Sequence, residues 1–88
     1  MQISVELSCY PLADDFIPMI SGFIKKINQH PEVAAITNTM STQLFGESKV
    51  VMSLLSEAME SSWAKDGKAV FVCKFINAEL NPQLPKND

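Results

Sequence analysis

The hydroxyl of Thr42 stands in the stretch around which the rest of this sequence is read. It lies in Met40-Ser41-Thr42-Gln43-Leu44-Phe45-Gly46, where polar and apolar residues alternate, a β-branched residue comes early and a glycine closes the run. That pattern describes a strand running into a turn, with a threonine where packing would prefer valine. On a half-exposed strand such a threonine simply faces water. In a pocket floored by a sheet it offers a neutral ligand one donor and two acceptor positions. A second stretch of this kind is Ser8-Cys9-Tyr10-Pro11, which sets a hydroxyl, a thiol and a phenol before a proline. Glu6, in the same alternating run, must reach water or be paired. If it lines a cavity, its carboxylate suits a cationic or amino-bearing ligand.

Other chemistries are thinly represented. His30 stands alone before Pro31 at a helix end, a place for surface exposure or capping of the helix C-terminus. There is no Cys-x-x-Cys, no His-x-x-x-His and no carboxylate group at metal-ligand spacing. Asp14-Asp15 reads as a helix cap and dipole partner rather than an acid pair. Met40, Met52 and Met59 read as core filler, and Trp63 as packing. Cys9 and Cys73 each sit within an apolar run, as reduced thiols do, although strands that are neighbours would bring them close.

Composition narrows the partners. The 88 residues carry 7 basic and 10 acidic side chains, a formal charge of −3, and no arginine at all. Bidentate capture of phosphate or carboxylate is therefore not on offer, and no basic stripe accompanies the aromatics. This argues against nucleic acid as a partner. With 47% apolar residues the chain is expected to fold as one domain over residues 1–80, followed by a flexible tail at 81–88 that contains two prolines. The sequence shows no signal-like segment and no apolar run of membrane-spanning length, so a cytoplasmic protein without membrane insertion is expected.

The elements that must position these groups follow from periodicity. Ile3, Val5 and Leu7 alternate with Ser4, Glu6 and Ser8, predicting a first strand that Tyr10-Pro11 brings to an end. Phe16, Ile20, Phe23, Ile24 and Ile27 recur at helical spacing. Asp15 is the preferred N-cap because it puts Pro18 in the first turn, where a missing N–H is harmless. Val33 to Thr37 predicts a second strand, and Asn38-Thr39 a turn into the strand at Met40. After the turn glycine Gly46, Ser48 is a suitable cap for a helix with Val51, Leu54, Leu55, Ala58 and Ser62 or Trp63 on one face, stopped by Asp66-Gly67. The run from Ala69 to Ile76 predicts the last strand.

Strand, helix, strand, strand, helix, strand, with two right-handed crossovers, predicts the α+β ferredoxin-like arrangement: an antiparallel sheet in order 4-1-3-2 with both helices on one face. In that topology the end of the first strand lies beside the start of the third. Val70, Val72 and Ile76 then point to one face of the last strand, and Phe71, Cys73 and Phe75 to the other. Helices can cover only one face. A second subunit is expected on the open one, giving a homodimer or higher homo-oligomer.

Two segments in one register, Ser8-x-Tyr10-Pro11-Leu12-x-Asp14-Asp15-Phe16-Ile17 and Ser41-Thr42-x-Leu44-x-Gly46, resemble the thiamine/hydroxymethylpyrimidine-binding YkoF-like family, and the similarity spans roughly residues 3 to 78. The chain departs from that family at Cys9, Gln43 and Phe45. The resemblance implies ferredoxin-like repeats and a pyrimidine ring held by the hydroxyl at Thr42 and by main chain at Cys9. It also implies a homodimer in place of a tandem pair of repeats. The function expected from it is non-enzymatic binding of thiamine or its hydroxymethylpyrimidine moiety near Ser8, Cys9, Tyr10, Ser41 and Thr42, with Glu6 toward the cationic part, in thiamine salvage or transport. No further cofactor and no metal is expected. The alternatives are a small dimeric α+β barrel enzyme of oxygenase or isomerase type, for which Glu6, Cys9 and Cys73 are the available groups, and an amino-acid-sensing regulatory domain.

Overall fold

A computed structural model describes residues 1–12 and 17–83, the side chains of 17–19 excepted. Its elements are β1 (Gln2–Pro11), α1 (Ile17–Asn28), β2 (Ala34–Thr37), β3 (Thr42–Glu47), α2 (Ser48–Asp66) and β4 (Ala69–Ile76). The strands form one antiparallel sheet in the order β2-β3-β1-β4, so the fold is ferredoxin-like. The proposed Asp14 and Asp15 caps and the stripe residue Phe16 lie outside the described residues, as does the end of the tail from residue 84. Pro18 is the second residue of α1, within the first turn.

Alternation decides which side chains meet the helices. Ile3, Val5 and Leu7 of β1 and Leu44 of β3 are buried on the helix side, together with Phe23 and Ile27 of α1 and Val51, Leu54, Leu55 and Ala58 of α2. Phe71 joins them from β4, its ring 4.9 Å from that of Phe23 and edge-on to Trp63 at 5.6 Å. The Trp63 indole N–H donates to the Ala69 carbonyl at 3.0 Å, so this tryptophan fastens α2 to the start of β4. The methionines divide: Met59 packs against the core, whereas Met40, in the hairpin turn, and Met52, off the apolar stripe of α2, are exposed and fill nothing.

Three local expectations are corrected. β1 does not give way at Tyr10-Pro11 but carries both residues in its ladder, paired with Val70 and Ala69. The Leu12 amide donates to the Lys68 carbonyl at 3.0 Å, so even-numbered residues of β1 direct their main-chain groups to β4. The nitrogen of Pro11 therefore points to the side that β3, whose register ends at Leu7–Thr42, has already left. A proline costs no ladder bond there. Gly46 is not a turn residue but a buried member of β3 opposite Ile3. A Cβ at this position would stand 3.1 Å from Val51 Cγ2 and 3.2 Å from the Glu32 carbonyl, so glycine lets β3 approach the start of α2 and the loop before β2.

The cap of α2 is Glu47 rather than Ser48: its carboxylate accepts from the amides of Lys49 (2.9 Å) and Val50 (3.3 Å). Ser48 is instead the first residue of the helix; its hydroxyl donates to Glu47 Oε1 at 3.3 Å, and its N–H extends the sheet ladder to the Met1 carbonyl at 2.8 Å. Partial desolvation of Glu47 pushes its pKa upward, but the two amide bonds and the nearby amino terminus outweigh it, and the carboxyl lies below its ordinary range. At the other end Gly67, at φ 90°, closes α2 with its N–H on the Trp63 carbonyl at 3.1 Å.

Beyond β4 the chain returns across the helix-free face of the sheet. The Ser4 hydroxyl donates to the Ala78 carbonyl at 2.7 Å and accepts from the Leu80 amide at 2.9 Å. This tie explains how a serine on the open face is 6% exposed.

Candidate functional site

β1 is longer than the strand beside it. Its pairing with β3 stops at Leu7–Thr42, while its pairing with β4 continues to Pro11–Ala69. The odd-numbered main-chain groups of β1 face β3, so the N–H and C=O of Cys9 are directed past the end of β3. The β2–β3 hairpin closes around that gap. Its tip is held by the Asn38 carboxamide, whose oxygen accepts from the amides of Met40 (2.9 Å) and Ser41 (3.0 Å), while the Asn38 amide donates to the Ser41 carbonyl at 3.0 Å.

Between this hairpin, the overhang of β1 and helix α1 lies a cleft of about 230 Å³. Its apolar wall is Ile20, Phe23 and Ile24, and its polar wall is the hairpin from Thr37 to Thr42. Among the described residues no charged side chain lines it. The volume suits a single ring better than a drug-sized molecule, for which pockets of roughly 300–1,000 Å³ are usual.

Ser8, Cys9, Tyr10, Ser41 and Thr42 all border this cleft, so the two stretches singled out in the sequence converge. They do not contribute alike. Thr42 pairs with Leu7 on the helix side of the sheet and is 7% exposed, with its hydroxyl 3.1 Å from that of Thr37. The Cys9 thiol shares this side. Ser8 and Tyr10 alternate to the other face and bring mainly the strand itself to the cleft. The Ser41 hydroxyl likewise turns away, donating to Glu6 Oε2 at 3.3 Å.

Glu6 does not belong to the cleft. As an even-numbered residue of β1 it lies on the helix-free face, in a separate groove of about 340 Å³ with Gln43, Phe45, Lys74, Ile76 and Leu80. Its Oε1 is 3.5 Å from Lys74 Nζ, an exposed pair of the kind that contributes little to stability. The placement of Glu6 opposite a ligand held at Thr42 is therefore corrected: one step of strand alternation puts the sheet between them.

Cys9 and Cys73 are free thiols on adjacent strands, two places out of register, since Cys9 faces Phe71 and Cys73 faces Leu7. Burial pushes both pKa values up from the ordinary thiol range, so neither is activated as a nucleophile. His30 occupies the end of α1, where its Nδ1 accepts from the Glu32 amide at 3.2 Å. Among the described residues no cluster of three His, Cys, Asp or Glu side chains could hold a metal ion, and no helix is long and apolar enough to cross a membrane.

Sequence reasoning did not single out Thr37 or Asn38 as site residues, and it assigned Ile20, Phe23 and Ile24 to the core alone. The register of the hairpin, which sets Thr37 directly across from Thr42, was the signal for the first of these.

The fold places the chain among α+β proteins of known structure with little sequence in common. It superposes on a Streptococcus pneumoniae protein with a TM-score of 0.82 at 24% identity, covering 94% of this chain and 93% of that one. A candidate thiamine biosynthesis/salvage protein from Thermotoga maritima gives a TM-score of 0.83 at 15% identity, covering 94% and 92%. A domain of unknown function, DUF77, from Bacillus cereus gives 0.78 at 20% identity, covering 90% and 78%. At these identities the likeness shows the fold. No family model matches the sequence, and no curated protein matches it.

Proposed function

We propose that this protein binds thiamine or its hydroxymethylpyrimidine moiety without chemical conversion, in the cytoplasm, as part of thiamine salvage or transport. The observation that carries the reading is the meeting of the Thr42 hydroxyl and the Cys9 main chain in one small cleft without a charged side chain among its described lining residues. An aminopyrimidine carries ring-nitrogen acceptors and an exocyclic donor, which a hydroxyl and a peptide group satisfy without charge. The neutral ring enters against Ile20 and Ile24, and the cationic ring of thiamine stays toward solvent. The sequence resemblance, and the description of the Thermotoga maritima neighbour, support the same ligand.

Calorimetric titration with thiamine and with hydroxymethylpyrimidine tests this directly. Saturable heat and a rise in melting temperature are expected with both. The absence of both signals at millimolar ligand overturns the proposal.

The helix-free face completes the picture. Val70, Val72 and Ile76 are each 47% exposed there, an apolar surface of the kind that marks an interface. A second copy of the chain covers it in this reading. The protein is expected to sediment as a dimer or larger at micromolar concentration, and Val72→Glu to yield a folded monomer. A wild-type chain that sediments as a stable monomer contradicts the interface.

A further inference from the structure

Thr37 sits across from Thr42 in the β2–β3 hairpin, and the two hydroxyl oxygens are 3.1 Å apart, with either able to donate to the other. They differ in surroundings. Thr42 is almost fully buried, whereas Thr37 is exposed. A hydroxyl has one hydrogen and two lone pairs. Whichever way the shared hydrogen bond runs, water can complete the needs of Thr37, while what remains of Thr42 is left to a group in the cleft it borders. The pair can therefore reverse. With Thr37 donating, Thr42 keeps its hydrogen for an acceptor on the ligand; with Thr42 donating, its oxygen is free to accept from an amine.

We propose, resting on the pyrimidine-binding reading above, that Thr37 is a positioning residue that lets Thr42 accept a hydrogen bond from the exocyclic amine of the ligand. Thr37 takes the Thr42 hydrogen, and so spares it from being buried without a partner when the lone pair is turned to the amine. An unpaired buried donor is costly, whereas an under-used lone pair is tolerated better. Loss of the Thr37 hydroxyl should therefore penalise ligands that donate to Thr42 and spare those that accept from it. The site class follows: a flat neutral heterocycle bearing an amino group, read as an amine through a two-hydroxyl relay.

The test measures affinity for two probes, hydroxymethylpyrimidine and its analogue with a carbonyl oxygen in place of the amino group, in wild-type protein, Thr37→Val and Thr37→Ser. Valine keeps the shape of threonine and a β-branched residue in β2, and serine restores the hydroxyl. The expected result is that Thr37→Val weakens binding of the amino probe about tenfold, on the scale of one lost hydrogen bond that leaves a buried donor unpaired, and shifts the oxo probe little. Thr37→Ser should return the ratio of the two affinities toward wild type. Unfolding in urea without ligand identifies a merely structural role, which would weaken both probes alike and leave their ratio fixed. An unchanged ratio in Thr37→Val overturns the inference while the pyrimidine-binding reading stands. If the wild-type protein binds neither probe, both fall.

Discussion

Thr42→Val is expected to weaken binding of hydroxymethylpyrimidine by about tenfold or more, since removal of a hydroxyl that leaves a ligand group unpaired in a buried site costs roughly 1–3 kcal/mol and 1.4 kcal/mol is a factor of ten. The substitution is nearly isosteric and exchanges one β-branched residue for another better liked in strands. Thr37, its side-chain partner among the described residues, is exposed and recovers a hydrogen bond from water. Unfolding in urea should therefore place the variant close to wild type. Binding that survives the exchange would put the ligand elsewhere, and a large loss of stability would make Thr42 a structural residue.

The second large effect lies two residues along the same strand. Leu44 is fully buried at 0% exposure, between Val5 of β1 and Ala35 of β2 on the helix side. Leu44→Ala is expected to cost about 2–5 kcal/mol, the lost transfer energy plus the cavity left behind. That is a large share of the roughly 5–15 kcal/mol that holds a small domain together. Gln43→Ala, one residue earlier and on the opposite face, should move stability by no more than about 0.5 kcal/mol. Urea titration of both reads the face assignment. Equal losses would mean that β3 does not alternate as described.

These two adjacent positions also show how far the sequence could be read. Period-two and helical spacing were enough to order the elements, to divide β1 and β4 into faces, and to pick Val51, Leu54, Leu55 and Ala58 as the buried stripe of α2, while the choice between Ser62 and Trp63 was settled in favour of Ser62 only by the structure. The turn at Asn38 and the glycine stop at Gly67 were legible because their backbone demands are local. What escaped depends on neighbours. Pro11 looks like a terminator until the end of β3 at Thr42 shows that its missing donor faces no strand. Gly46 looks like a turn until Val51 and the Glu32 carbonyl are set against it. Ser48 is the better cap by residue type, but Glu47 at the end of β3 precedes it and its carboxylate reaches the amides of Lys49 and Val50. Thr42 was legible as a hydroxyl bordering a pocket and Glu6 as a polar group inside the sheet. That they occupy opposite sides follows from parity, once the register of Leu7 with Thr42 is known.

The overhang of β1 past β3 has a consequence for how the recognition proposed above would be inherited. A main-chain donor and acceptor at position 9 exist for every residue but proline, so exchange of Cys9 for alanine, serine or valine leaves that half of the contact standing. What encodes it is a difference in length between two strands, and the hairpin that sets that length spans only Asn38 to Ser41. Point substitutions at position 9 other than proline leave it in place. Insertion or deletion of a residue in the turn would erase the contact in one step.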